Sequence, residues 1–189
     1  MRMPQAYGER GSDPETPFPI EEGVCHLVRG KSVDSTYRLA GVQAEQSVPV
    51  LCVTRIYPDR LRARYRLASA TVWWITESPG EGHFDPTAVG TLASAIEGYI
   101  DRHPEGCLVV LDGVEFIAIR IGFTKALLFI EHVNEFIMPR RATVLVPVDP
   151  ECFDPKEYAQ LERFTGGIAE EDLRDALDTF EVNRNLGEG

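Results

Sequence analysis

Apolar residues along this chain fall into short unbroken runs, separated by stretches in which they recur every three or four positions. That is the pattern of strands alternating with helices. The runs are Val24–Val28, Val48–Ile56 (VPVLCVTRI), Val72–Ile75 (VWWI), Cys107–Leu111 (CLVVL) and Thr143–Val148. They lack the strict apolar–polar alternation of a strand with one wet face. Five nearly continuous runs therefore predict a parallel sheet covered by helices on both sides.

The intervening stretches carry helix signals. Leu39 and Val42 sit at helical spacing within Ser35–Gln46, and Pro58 is suited to the first turn of a helix reaching about Leu67. Asp85-Pro86 reads as N-cap and first helical residue of a helix ending near His103, with Val89, Leu92, Ile96 and Ile100 on one face. Further helices are expected over Phe123–Ile137 and from Asp154-Pro155 to Phe164. Gly166-Gly167 then reads as a break before a last acidic helix, Glu170–Phe180. Residues 1–22 hold four prolines and little periodicity, so they are expected to be a flexible leader. The division expected is leader 1–22, an α/β domain 23–165, and an acidic C-terminal helix or tail 166–189.

Composition narrows the function classes. Of 189 residues, 19 are Lys or Arg and 30 are Asp or Glu, a formal charge of −11. Such a chain offers no net positive field for broad nucleic-acid binding. The charge is uneven, however: residues 149–189 carry −8, whereas 55–75 carry +4 through Arg55, Arg60, Arg62, Arg64 and Arg66 against Asp59 alone. No apolar run approaches the ~18 residues that span a bilayer, and the N-terminus lacks the apolar core of a signal peptide. The four cysteines form no C-x-x-C pair, so buried free thiols in a reducing cytoplasm are expected rather than zinc.

In parallel sheets ligands bind beyond the carboxyl ends of the strands. A phosphate-binding loop, G-x-x-x-x-G-K-[ST], can be tested there. Starting at Gly30, the spacing brings Ser35, Thr36 and Tyr37 to the positions of the second Gly, the Lys and the magnesium-binding hydroxyl. The place and length suit a phosphate loop; the chemistry does not, because the phosphates lose their counter-charge. Asp112 ends an apolar run (LVVLD) as a magnesium-linked acid would, although Asp-Gly is also ordinary turn chemistry. Glu115 could pair with Asp112, and Arg55, at a strand end, is the best-placed anion ligand. Arg60 and Arg64 share one side of a helix, read either as a solvated face or as a surface for an acidic partner; the C-terminal helix Glu170–Phe180 is itself a candidate for that partner. No H-E-x-x-H, no G-x-S-x-G and no Ser–His–Asp grouping occurs, so no catalytic residue, metal ligand or cofactor is assigned.

The ordered segments VPVLCVTRIYPDRLRARY, VWWI, GCLVVLDGVEFIAIRIGFTKALLFIEHV and ATVLVPVDPECFDPKEYAQLER resemble the domain of unknown function 835. The resemblance spans about Val24 to Phe164 and rests most on VLDGVEFI, Phe123 and VPVDP. It implies the company of sensory and histidine-kinase modules, without an assigned activity. The same order resembles, more distantly, the core of RecA/KaiC-like ATPases. That likeness implies a three-layer α/β sandwich with a mainly parallel five-stranded sheet and a degenerate phosphate loop, with Gly30–Tyr37 its relic and Asp112 the relic of the magnesium-linked acid.

Three functions are carried forward. The first is a non-catalytic regulatory or protein-interaction domain in signalling, with a protein partner or a second copy of itself. The second is a nucleotide-binding domain without efficient hydrolysis, using the backbone amides of Gly30–Tyr37, those of Ser35 and Thr36 included, and an arginine such as Arg55. The third is a small-molecule enzyme using Asp112 and Glu115.

Overall fold

The computed structural model describes residues 17–187. In chain order the elements are β1 (Cys25–Arg29), α1 (Asp34–Glu45), β2 (Val50–Thr54), α2 (Pro58–Arg64), β3 (Thr71–Ile75), β4 (His83–Phe84), α3 (Val89–Asp101), β5 (Cys107–Leu111), α4 (Val114–Ile121), α5 (Phe123–Ile137), β6 (Ala142–Val148), α6 (Pro155–Phe164), β7 (Gly166–Ala169) and α7 (Glu170–Gly187). The strands form one sheet in the order β4-β3-β2-β5-β6-β1-β7, and every neighbouring pair is parallel. Helices cover both faces, so the three-layer parallel architecture is as the apolar runs predict, with seven strands in place of five.

Successive side chains of a strand point to opposite faces, and each of the five longer strands feeds two cores. Leu27, Leu51, Val53, Val109 and Val144 meet Leu92, Ile96, Ile117 and Ile130 of α3, α4 and α5. Val28, Cys52, Val110 and Leu145 meet Tyr37, Leu39, Leu61, Leu173 and Leu177 of α1, α2 and α7. Cys25, Cys52 and Cys107 are buried, Cys152 is exposed, and all four are free.

Where the elements differ from the periodicity, local chemistry gives the reason. β4 is only two residues long, too short to leave a pattern. β7 is the Gly166-Gly167 stretch read as a break: it pairs with β1, His26 opposite Gly166, and a Cβ at Gly166 would lie 3.0 Å from the His26 ring. Glycine is needed there because a neighbouring ring fills the side-chain space. Residues 166–169 thus belong to the sheet rather than to a tail. α4 is only eight residues long, too short to stand out beside the run before it; it is bounded by Gly113 and Gly122, both at positive φ, which separate it from the strand before and the helix after. Asp85 does not cap a helix at Pro86: it accepts from the Thr87 amide at 2.7 Å, and α3 begins at Val89. Asp154 does cap α6, in a reciprocal capping box with Glu157.

The C-terminal helix also lies elsewhere than expected. Leu173 and Leu177 are fully buried, and Asp178 and Glu181 both accept from Arg38 of α1, at 2.7 and 3.0 Å. It packs on α1 and not on the Arg60/Arg64 face of α2; Arg64 instead pairs with Asp34 at 3.1 Å. The leader expected over 1–22 falls largely outside the described residues, and its last part is packed, with Phe18 and Ile20 buried.

That strap is held by a histidine. The Glu21 amide donates to His26 Nε2 at 2.9 Å, which places the ring proton on Nδ1, a buried atom with no partner among the described residues. Burial pushes the imidazole from 6.5 down to about 4, because charging it in place is costly. The folded value lies below the unfolded one, so this stability is whole above about pH 6.5 and lost as pH falls through about 4. Between pH 7 and 4 the loss is expected to reach about 2–3 kcal/mol. Urea denaturation at pH 7 and 4 checks it: His26→Gln, which can still accept from the Glu21 amide, should lose that much less than the parent chain. Equal losses would remove the histidine from the acid response.

Candidate functional site

β2 and β5 are neighbours, but the chain leaves them in opposite directions, from β2 outward to β3 and from β5 through α4 and α5 back to β6. A crevice opens where connections diverge in this way, and open α/β sheets place their sites there. The register sets Val53 opposite Leu111, and the Asp112 amide donates to the Val53 carbonyl at 2.8 Å. Thr54 and Asp112 therefore emerge side by side at this switch point.

Tyr37, from the first turn and a half of α1, comes up beneath them and is fully buried. Its hydroxyl oxygen lies 2.7 Å from Asp112 Oδ2 and 2.8 Å from Thr54 Oγ1, and Thr54 Oγ1 lies 3.0 Å from Asp112 Oδ2. The Ile56 amide adds a bond to Thr54 Oγ1 at 3.0 Å. Three oxygens in mutual contact call for three protons. Tyr37 and Thr54 hold two, and the third is present when the carboxyl keeps its own. Burial pushes Asp112 up from the usual carboxylate range, against the pull of the two hydroxyls, in the sense this proton count favours. Burial, then the Asp112 charge, likewise pushes the Tyr37 phenol well up. The Tyr37 ring stacks on Tyr65 at 5.1 Å, whose hydroxyl donates to Asp34 at 2.9 Å.

The loop from Gly30 to α1 is closed from above. The Ser35 hydroxyl donates to the Glu170 carboxylate, and a Cβ on Gly30 would lie 2.6 Å from Glu170 Cβ. The first residue of α7 thus lies across the space between Gly30 and the start of α1. Thr36 Oγ1 is buried without a hydrogen-bond partner among the described residues. Lys31, the one lysine of the loop, reaches out to Glu151 at 2.7 Å.

The remaining expected residues are brought to the same end of the sheet but engaged separately. Arg55 donates to the Ile75 carbonyl at 2.6 Å and lies 3.9 Å over the Phe116 ring, filling the space that Gly113 leaves without a side chain. Glu115 accepts from the Asp149 amide at 3.0 Å; it is mostly buried, and burial pushes its carboxyl up. It forms no hydrogen bond with Asp112. Arg60 has no ion-pair or hydrogen-bond partner among the described residues. No group of three or more His, Cys, Asp or Glu among them could hold a metal ion, and no helix among them is long and apolar enough to cross a membrane. Sequence reading reaches Thr54 as a strand-end residue but gives it no role, and it gives Glu170 none beyond the start of an acidic helix. A threonine ending a strand is a faint signal, and nothing near Glu170 points to a loop 135 positions away.

Comparison with known proteins agrees with this geometry at the level of fold. A family model described as protein of unknown function (DUF835) matches residues 31–164. No curated protein matches the chain. Among solved structures, a KaiC-like protein from the hyperthermophilic archaeon Pyrococcus horikoshii OT3 superposes with a TM-score of 0.58 at 14% identity, covering 79% of this chain and 73% of that one. The likeness is of a RecA/KaiC-like fold.

Proposed function

The chain belongs to the DUF835 family of proteins of unknown function, and on that premise we propose that it is a non-catalytic regulatory or protein-interaction domain, cytoplasmic and in signalling, on a RecA/KaiC-like fold. The observation that carries this reading is that the chain's own side chains fill the space where a phosphate loop would hold a nucleotide. Where a phosphate loop directs amides and a lysine at a triphosphate, Glu170 brings a carboxylate against Ser35 and over Gly30. At the position of the small hydroxyl that would hold magnesium, Tyr37 sends a phenol directly to Asp112. A phosphate would meet a negative charge, and a metal would meet a filled space. The residues present do not fit magnesium–ATP, and no hydrolytic step is derived through it.

The enzyme reading has less support, since Asp112 and Glu115 each spend their hydrogen bonds on neighbours. For partner binding, Arg60, exposed and without a partner among the described residues, remains the best cationic contact; Arg64, though exposed, is already shared with Asp34. Titration calorimetry with ATP, ADP and GTP, each with magnesium, tests the reading together with a phosphate-release assay. No heat and no turnover above background are expected at millimolar nucleotide. Hydrolysis that disappears in Asp112→Asn would overturn it.

A further inference from the structure

At the opposite end of the sheet, where the strands begin, lies a pocket of about 600 Å³, inside the ~300–1,000 Å³ range of small-molecule sites. The end of α1, the entries to β2 and β6, the turn between α3 and β5, and the strap before β1 converge on it. Ile20, Val48, Cys107 and Leu108 give it an apolar lining, three of them buried and Val48 half-buried.

The polar groups in the wall divide into two sets. Arg141 and Glu22 neutralise each other through contacts of 2.9–3.2 Å. The Thr143 hydroxyl donates to the Glu21 carbonyl, and His103 Nδ1 is engaged with the Tyr99 carbonyl. Four groups are left without a hydrogen-bond or ion-pair partner among the described residues: the Arg102 guanidinium, the Glu105 carboxylate, the Gln43 amide and the Ser47 hydroxyl. Arg102 and Glu105 flank one tight turn, in which the Gly106 amide donates to the His103 carbonyl at 3.1 Å. They do not pair with each other.

One unpaired cation and one unpaired anion at the rim of an apolar pocket select a ligand carrying both charges. A simple acid or a simple amine would meet one and be opposed by the other. We propose that this pocket binds a zwitterion with an apolar body, of the α-amino acid class: its carboxylate at Arg102, its ammonium at Glu105, and its side chain on Ile20, Val48 and Leu108. The site is remote from the Tyr37–Asp112 network and does not depend on how that network is read.

Amide chemical-shift titrations of the full chain test this with leucine and phenylalanine, and with N-acetyl-leucine, leucine amide and glycine as probes lacking one feature each. Saturable shifts centred on Ser47, Gly106 and Leu108 are expected for the two apolar amino acids. Removing either ligand charge should weaken binding by about tenfold or more, the scale of one charge-assisted hydrogen bond. Arg102→Gln should weaken leucine and abolish its advantage over leucine amide; Glu105→Gln should abolish its advantage over N-acetyl-leucine. Both positions are exposed, so the variants should fold as the parent does. Absence of saturable pocket shifts at about 10 mM leucine and phenylalanine, or equal binding of leucine and N-acetyl-leucine, would overturn the proposal.

Discussion

Replacing Tyr37 by alanine is expected to lower the unfolding free energy by about 4–5 kcal/mol, at the upper end for deletion of a buried aromatic ring. The ring is fully buried and stacked on Tyr65, so its removal leaves a cavity. It also leaves Asp112, itself mostly buried, with Thr54 as its single side-chain hydrogen-bond partner among the described residues. Tyr37→Phe separates the two causes, keeping the ring and deleting the hydroxyl, and should cost about 1.5–3 kcal/mol. The pH dependence identifies the carboxyl. Asp112 titrates above its unfolded value, so ionising it in place weakens the fold as pH rises through the folded value. The tyrosine bond eases that ionisation, and losing it should hurt more at pH 7 than at pH 4.5. Denaturant midpoints of the parent chain, Tyr37→Phe, Asp112→Asn and the double variant measure this. A Tyr37→Phe cost below about 0.5 kcal/mol, or one independent of pH and of Asp112, would refute the network as a stabilising device.

Leu177→Ala in the C-terminal helix is expected to cost about 3–4 kcal/mol, within the range for a fully buried leucine. Leu173 and Leu177 have no exposed surface, and the helix is further tied to α1 by Arg38 to Asp178 and Glu181 and by Arg184 to Glu45 at 2.9 Å. The ion pairs are partly exposed and should contribute little beside the leucines. Truncation at Gly166 removes both leucines together with β7 and uncovers one edge of β1. Its expected cost exceeds about 5 kcal/mol, the lower bound for a typical domain's total stability, so the shortened chain should unfold at ambient temperature. Thermal and urea melts decide; a truncated chain with the parent's midpoint would return the helix to the role of an acidic solubilising tail.

The candidate site was legible in its parts. Gly30, Ser35, Thr36, Tyr37 and Asp112 could each be assigned to a strand end or a helix start, because a both-face-buried strand writes its limits into a handful of adjacent apolar residues. Their meeting could not be read. Tyr37 and Asp112 are 75 positions apart, and whether the phenol reaches that carboxyl depends on how α1 crosses the sheet from β1 to β2. Arg55 was placed at the correct strand end, but its attachment to the Ile75 carbonyl and Phe116 ring is a property of two other elements. The +4 segment and the −8 segment invited the inference that they bind each other. Burial of Leu173 and Leu177 decided otherwise, since apolar area outweighs exposed charge pairs.

By itself the sequence determined the α/β class, the five long strands and the cap of α6, all of which rest on interactions within a few residues. Only the tertiary structure decided the strand order, the two short strands, the docking of α7 on α1 and the closure of the phosphate loop by Glu170. Those features depend on which surfaces meet after the crossovers are made, and no local pattern of residues encodes a neighbour 135 positions away.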